Sequence, residues 1–255
     1  MDVVARYENR FMDKLDLNVM AGASQEQYGW QWFNATKLDL VDPGLGVING
    51  AVGDASAGGT RVEWAMRSYF GRINLGWADK YLLELNMRAD GSSKFARGNR
   101  WGYFPSGSLA WAFARESFIA ENASWLSNGK LRFSYGQTGN NRIGNYDYMA
   151  HLITDDDLYK YPWNGQFVPG YVLSSMQNEK LKWETTEQLD LGLDLGFLDG
   201  RINLNMDYYI KTTKDLLLDA DISASSGFSS ATLNVGKLRS SGRSEEHTSE
   251  LQSPM

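Results

Sequence analysis

The chain has no cysteine, five prolines and two histidines among its 255 residues. Without cysteine there is neither a disulfide framework nor a thiolate metal site, and the compartment stays open. His151 lies in a long polar segment and His247 near the C-terminus, which leaves no pair of imidazoles for a metal centre. The longest apolar run, Leu109 to Ala114, has six residues, far short of the roughly 18 that a spanning helix needs. A formal charge of −6 with dispersed Lys and Arg excludes a nucleic-acid surface. The N-terminus lacks the basic, apolar and small-residue succession of an export signal, so the chain is expected to be either cytoplasmic or a piece of a longer protein.

What the chain does have is aromatics and glycine, with nine Trp, thirteen Tyr and 26 Gly, set in runs of strict alternation. The plainest lies between Tyr69 and Met87. Tyr69, Ile73, Leu75 and Trp77 share one face opposite Phe70, Arg72 and Asn74, and after a turn at Ala78, Asp79 and Lys80 the row Tyr81, Leu83, Leu85 and Met87 returns opposite Glu84 and Asn86. This pattern predicts an antiparallel hairpin. Arms of about nine residues match tilted strands crossing a bilayer, and Trp77 and Tyr81 stand where an aromatic girdle would. A soluble sandwich strand alternates too, and a negative mean hydropathy fits both, because barrel strands turn only alternate residues to lipid.

Other segments separate the two. Lys14 to Ala21 reads as a strand, Gly22 to Gly59 as a long loop, and the change of apolar phase between Met66 and Tyr69 as a bulge or strand break near Arg67. Leu109, Trp111 and Phe113 alternate with the small residues Ser108, Ala110 and Ala112, and a short helical turn is expected between Ala114 and Asn128. Leu131, Phe133 and Tyr135 alternate with Lys130, Arg132 and Ser134, placing two cations where a soluble core would reject them and a watery lumen would not. Gly136 to about Thr186 is irregular. Leu189 to Phe197 then pairs through Asp199 and Gly200 with Ile202 to Ile210. Short turns follow Trp77 and Leu198, and long loops are expected after Met87, Tyr135 and Ile210. That alternation of brief and extended ends is the transmembrane barrel pattern.

The runs RADGSSKF (Arg88 to Phe95), NRWGYFPSGSLAW (Asn99 to Trp111), WLSNGKLRFSYGQTGNNRIGNYDY (Trp125 to Tyr148), LKWETTEQLDLGLDLGF (Leu181 to Phe197), DYYIKTTKDLLL (Asp207 to Leu218) and SGFSSATLNVGKLRSSG (Ser226 to Gly242) resemble SusC/RagA-type TonB-linked outer-membrane proteins. The resemblance is dense from Tyr69 to Gly242 and loose before it. It implies an all-β fold, here a partial transmembrane antiparallel β-barrel: a curved open sheet of about seven or eight strands with long extracellular loops and short periplasmic turns, spanning residues 1–242. It further implies import of an oligosaccharide or peptide across a bacterial outer membrane, lipid around the wall, a SusD-like surface lipoprotein over the mouth, and TonB acting through a plug that this stretch does not contain. The alternative is a soluble all-β, lectin-like module, which would bury the rows a barrel shows to lipid. Residues 243–255, RSEEHTSELQSPM, lack alternation and resemble a translated adapter sequence, so they are expected to be a disordered, non-native tail.

No catalytic constellation, cofactor motif or metal site is expected. Asp155, Asp156 and Asp157 could offer carboxylates to Ca²⁺ but lack the alternating ligand spacing and glycine of a known loop. Cargo binding is expected in the outer loops, where aromatic faces stack on sugar rings and amides pair with hydroxyls. The candidates are Trp101, Tyr103, Asn140, Asn141, Tyr146, Tyr148 and Trp163.

Overall fold

A computed structural model describes residues 1–154 and 159–249; Asp155 to Asp157 therefore lie outside the described residues. The strands are β1 (Asp2–Phe11), β2 (Leu15–Lys37), β3 (Ala55–Trp77), β4 (Tyr81–Ser92), β5 (Trp101–Trp111), β6 (Leu126–Asn140), β7 (Leu152–Ile153), β8 (Lys160–Trp163), β9 (Gln166–Pro169), β10 (Val172–Leu173), β11 (Glu184–Phe197), β12 (Ile202–Asp221) and β13 (Ser230–Ser249). Nine of them form one open antiparallel sheet ordered β1-β2-β3-β4-β5-β6-β11-β12-β13, and β10-β7 and β8-β9 form two small ribbons between β6 and β11. The expected seven or eight strands leave out β13, which begins at Ser230 rather than after Gly242, and β1. Its Val3, Ala5, Tyr7 and Phe11 alternate with Arg6, Glu8 and Arg10, a signal present in the sequence.

The expected hairpin is formed, with Trp77 opposite Tyr81, Leu75 opposite Leu83 and Ile73 opposite Leu85. The same face runs on through Leu109, Phe133, Leu191 and Tyr208. Along it Leu85 is 46%, Leu109 54% and Leu191 47% exposed. The opposite face carries Asn74, Glu84, Ser108, Ser134 and Asp190, and the sheet curves around it to enclose a hollow of about 850 Å³ reaching from Glu8 on β1 to Asp190 on β11. Apolar outside and polar inside is the reverse of a soluble sandwich.

The short connections gather on one rim. Met12–Asp13, Ala78–Asp79 and Leu198–Asp199 each place two non-glycine residues at positive φ, the conformation a tight hairpin turn demands and aspartate tolerates better than most. On this rim the connection from β5 to β6 holds a four-residue helix, α1 (Ser117–Ala120), in the span where a helical turn was expected. Just before it, Glu116 accepts hydrogen bonds from Lys80 Nζ at 2.9 Å, the Tyr81 hydroxyl at 2.7 Å and Trp111 Nε1 at 3.2 Å. Those donors, Lys80 first, hold its carboxyl down at about 2. The staple therefore persists above the usual carboxylate range and loosens only as pH falls toward 2.

Elsewhere the structure corrects the sequence reading. β2 and β3 are 23 residues each and pair without a break from Leu15–Trp77 to Lys37–Ala55, so there is no bulge at Arg67 and the loop is only 38–54. The apolar residues change face along a continuous strand. Phe113 leaves the strand for a 3-10 turn, and its ring fills the space above Gly129 where a Cβ would clash. β12 runs on to Asp221 and meets β13 through 222–229, so no long loop follows Ile210. β13 also continues past Gly242, pairing Arg243 with Tyr208, Glu245 with Met206 and His247 with Leu204, where a disordered tail was expected. Backbone pairing to the open edge of β12 requires no side-chain pattern.

Candidate functional site

The inner wall is polar because period two leaves every second residue facing the hollow. Its charges are paired across strands. Arg132 on β6 makes a two-pronged contact with Asp194 on β11, at 2.9 and 2.8 Å, and reaches Asp207 on β12 at 2.9 Å. Gly192 lies between these partners, and a Cβ there would meet the Asp207 carboxylate and the Arg132 guanidinium. Higher up, Arg72 Nε donates to Asn86 at 2.7 Å, and Arg88 bonds Asp90 at 2.7 Å and Ser68 at 3.1 Å. The second Asp90 oxygen is buried without a partner among the described residues. Such a wall presents donors and acceptors to a polar solute. Among the described residues no group of His, Cys, Asp or Glu is arranged to hold a metal ion.

The rim opposite the tight turns is closed by a small core. Phe95, Phe104, Leu181 and Trp183 are buried together, joining the turn after β4, the inner face of β5 and the segment before β11. The Trp183 ring lies 5.4 Å from both Phe95 and Phe104, and its Nε1 donates to the Arg100 carbonyl at 2.9 Å. The Phe104 ring abuts Gly102 and Gly139, where a Cβ on either would strike it. Lys94 Nζ reaches the Ile143 carbonyl at 2.9 Å, and Asn234 clasps the Lys182 backbone through both its amide groups. Two of the quoted sequence runs, RADGSSKF and LKW, thus meet in space as a latch for the 141–183 loop.

The seven candidates divide. Trp101 and Tyr103 lie in register with Gly91 and Ala89 on the outward face, and Trp101 stacks on Tyr69 at 5.9 Å and 19°. Neither ring faces the hollow. Asn140 donates to Glu184 at 3.1 Å and accepts from the Arg142 N–H, and Asn141 donates to Ser92 at 3.1 Å. The Tyr146 hydroxyl bonds both the N–H and the carbonyl of Glu63, each at 3.1 Å, and Tyr148 packs on the buried core. Trp163 stands at the tip of the β8–β9 ribbon with 64% of its surface exposed. Sequence reasoning missed Phe95, Phe104, Leu181 and Trp183, because nothing local shows that Trp183 will meet rings 79 and 88 positions before it.

The lectin-like alternative does not survive this geometry, since among the described residues no second layer covers the outward rows. The family model for the TonB dependent receptor-like β-barrel matches residues 3–242. TonB-dependent receptor P3 of Formosa agariphila is 41% identical over 180 residues, 71% of this chain and 18% of the relative. TonB-dependent receptor SusC of Bacteroides thetaiotaomicron is 39% identical over 179 residues, 69% of this chain and 17% of the relative. The chain thus spans about a fifth of the length of these curated relatives. The structure of the RagAB peptide importer in its closed-closed state superposes with a TM-score of 0.84 at 26% identity, over 99% of this chain and 27% of that one. An apolar outward wall, a polar hollow, one rim of tight turns and this match across nearly the whole sheet have one explanation: the chain belongs to the TonB-dependent receptor β-barrel family and forms part of the wall of a bacterial outer-membrane barrel.

Proposed function

We propose that this wall belongs to an importer of oligosaccharides or peptides, with a SusD-like lipoprotein closing the extracellular mouth and TonB supplying the pull through a plug. The observation that carries the reading is the superposition of the whole sheet on a peptide importer, together with the likeness to SusC. The wall contributes passage and loops, not covalent chemistry. Trp163, exposed at its ribbon tip, and Tyr146, which ties the loop to β3, are the loop residues offered for cargo contact. A full-length receptor carrying this sheet, expressed in cells with and without TonB, is expected to take up labelled oligosaccharide or peptide only when TonB is present, and Trp163→Ala is expected to weaken uptake severalfold. Equal uptake in both strains would overturn the importer reading.

Residues 1–242 form the barrel unit in this proposal, and 243–255 are foreign to it. The family match ends at residue 242, and beyond it Arg243 and Glu245 occupy the outward row beside Tyr208 and Met206, where lipid would lie. In the full-length receptor, Leu193→Arg near mid-strand on the outward row is expected to cost about 2–4 kcal/mol by denaturant titration, because a charge there faces hydrocarbon. Ser134→Arg faces the hollow beside Asp190 and is expected to cost much less. Splicing residues 243–255 in place of the receptor's own continuation is expected to destabilise as Leu193→Arg does. Equal costs for Leu193→Arg and Ser134→Arg would refute the facing, and a harmless splice would make the tail native.

A further inference from the structure

The unbroken register of β2 and β3 has a consequence for the aromatic residues above the rim. Strands rising about 3.3 Å per residue make each 23-residue arm more than twice as long as the 9–11 residues that cross a bilayer. β4 accompanies β3 only as far as Met66, while β3 goes on pairing with β2 as far as Ala55. Residues 25–37 and 55–65 therefore form a strand pair that runs on beyond the end of β4. The Tyr146 hydroxyl takes the Glu63 N–H and carbonyl beyond the end of β4, which ties the ribbon to the 141–183 loop.

Within the sheet, odd-numbered residues of β2 face outward, as Leu15, Leu17 and Val19 do opposite Trp77, Leu75 and Ile73. Above the rim the large apolar residues of β2, Phe33 apart, are even-numbered. Tyr28, Trp30 and Trp32 share the face of Trp64, and Tyr28 stacks on Trp64 at 6.1 Å and 21°. No bulge intervenes, so these rings lie on the side that continues down into the hollow, through Met20 and Arg72. They are not the lipid girdle, which is on the other face. Gln27, Gln31, Arg61 and Glu63 give the ribbon's outward face its polar character. Tyr28, Trp30 and Trp32 remain 49%, 46% and 42% exposed.

We propose that Tyr28, Trp30, Trp32 and Trp64 form a stacking track for a neutral linear oligosaccharide entering the barrel. The inference rests on the importer reading above and names its cargo class. The track is narrow, a strand pair about 5 Å apart with rings about 7 Å apart along each strand. Tyr28, Trp30 and Trp32 are about half exposed and Trp64 is more covered, so at roughly 150–250 Å² per fully buried ring the four offer on the order of 300 Å². A stable protein partner covers about 800 Å². A chain one ring wide fits the track, and a folded lid does not. Its polar neighbours on the same face are Glu26, Asn34 and Thr60, all exposed, which suit sugar hydroxyls. No cation stands among them to receive a peptide carboxylate. An extended peptide would instead pair through its backbone with the β3 arm beyond the end of β4.

The test uses a full-length receptor carrying this sheet, purified in detergent, with maltohexaose, cellohexaose and laminarihexaose as probes and hexa-alanine as the peptide comparison. At least one hexaose is expected to quench tryptophan fluorescence and to bind by calorimetry. Trp30→Ala with Trp32→Ala is expected to weaken it roughly tenfold or more. Trp30→Phe should retain most of the affinity, and Phe33→Ala, on the opposite face, all of it. Heat-modifiable gel mobility establishes that each variant is folded. The proposal falls if no hexaose binds, if the double variant binds as wild type, if only hexa-alanine depends on the two tryptophans, or if the double variant sheds a co-purifying lipoprotein while keeping its sugar affinity. TonB-dependent uptake that persists in the double variant would sink the track and leave the importer reading standing.

Discussion

Replacing Trp183 by alanine in a full-length receptor carrying this sheet is expected to unlatch the 141–183 loop, at a local cost of about 3–5 kcal/mol. The ring is 8% exposed and stands between Phe95 and Phe104, so its removal leaves a hole bounded by two other rings and by strand backbone. The site has little room to collapse. Phe104 already lies against Gly102 and Gly139, and β5 and β6 are held by their own pairing beneath it. The Arg100 carbonyl would also lose the indole donor that now satisfies it, and an unsatisfied buried acceptor adds to the penalty. Hydrogen exchange should show residues 141–154 and 159–183 losing protection while β11 and β12 keep theirs, because those strands are paired on both sides. Trp183→Phe keeps a ring in the hole and loses chiefly the hydrogen bond, so it should cost about 1 kcal/mol. A loop as protected in the alanine variant as in wild type would mean that the buried cluster does not hold it.

Alternation made the wall legible, and distance in sequence hid the latch. Each strand's facing is a local property, readable from Tyr69 to Met87 or from Leu189 to Phe197 because lipid and water select opposite residues at period two. The lumen charge of Arg132 was readable on the same ground, but its bond to Asp194, 62 residues away, was not. Asp194→Arg therefore looks cheap from the pattern, yet it would set two guanidinium groups side by side. The ribbon failed for a different reason. Tyr28, Trp30 and Trp32 alternate as cleanly as any strand, but Gln and Gly stand between them, and the shift of the apolar face at Arg67 reads as a bulge when lipid is assumed to be the sole reason for an apolar row. Trp101 and Tyr103 sit near loop sequence and so resemble loop residues. The pairing of β5 with β4 puts them on the outward wall instead.

The chain expressed by itself is expected neither to transport nor to fold as a soluble monomer. A barrel satisfies its backbone by closing, and each N–H or C=O left unpaired in hydrocarbon costs several kcal/mol. Here β1 pairs only with β2 and β13 only with β12, which leaves one free edge on each side of the sheet. In water the hydrocarbon penalty vanishes and another takes its place. The outward rows around Leu85, Leu109 and Leu191 are about half exposed, with no layer of described residues over them, and continuous apolar surface of this kind drives association. The free edges offer every neighbouring chain a template for further pairing. The buried cluster at the rim is four side chains, far too few to offset the ordering of some 250 residues at about 1–2 kcal/mol each. Hairpin registers are set locally by the Asp-containing turns, so the aggregate should still be rich in β-structure by circular dichroism, and detergent should disperse it without producing a closed barrel. A monodisperse monomer in plain buffer that unfolds in one cooperative step would overturn this account, because such a molecule would have to bury the very rows that the sheet turns outward.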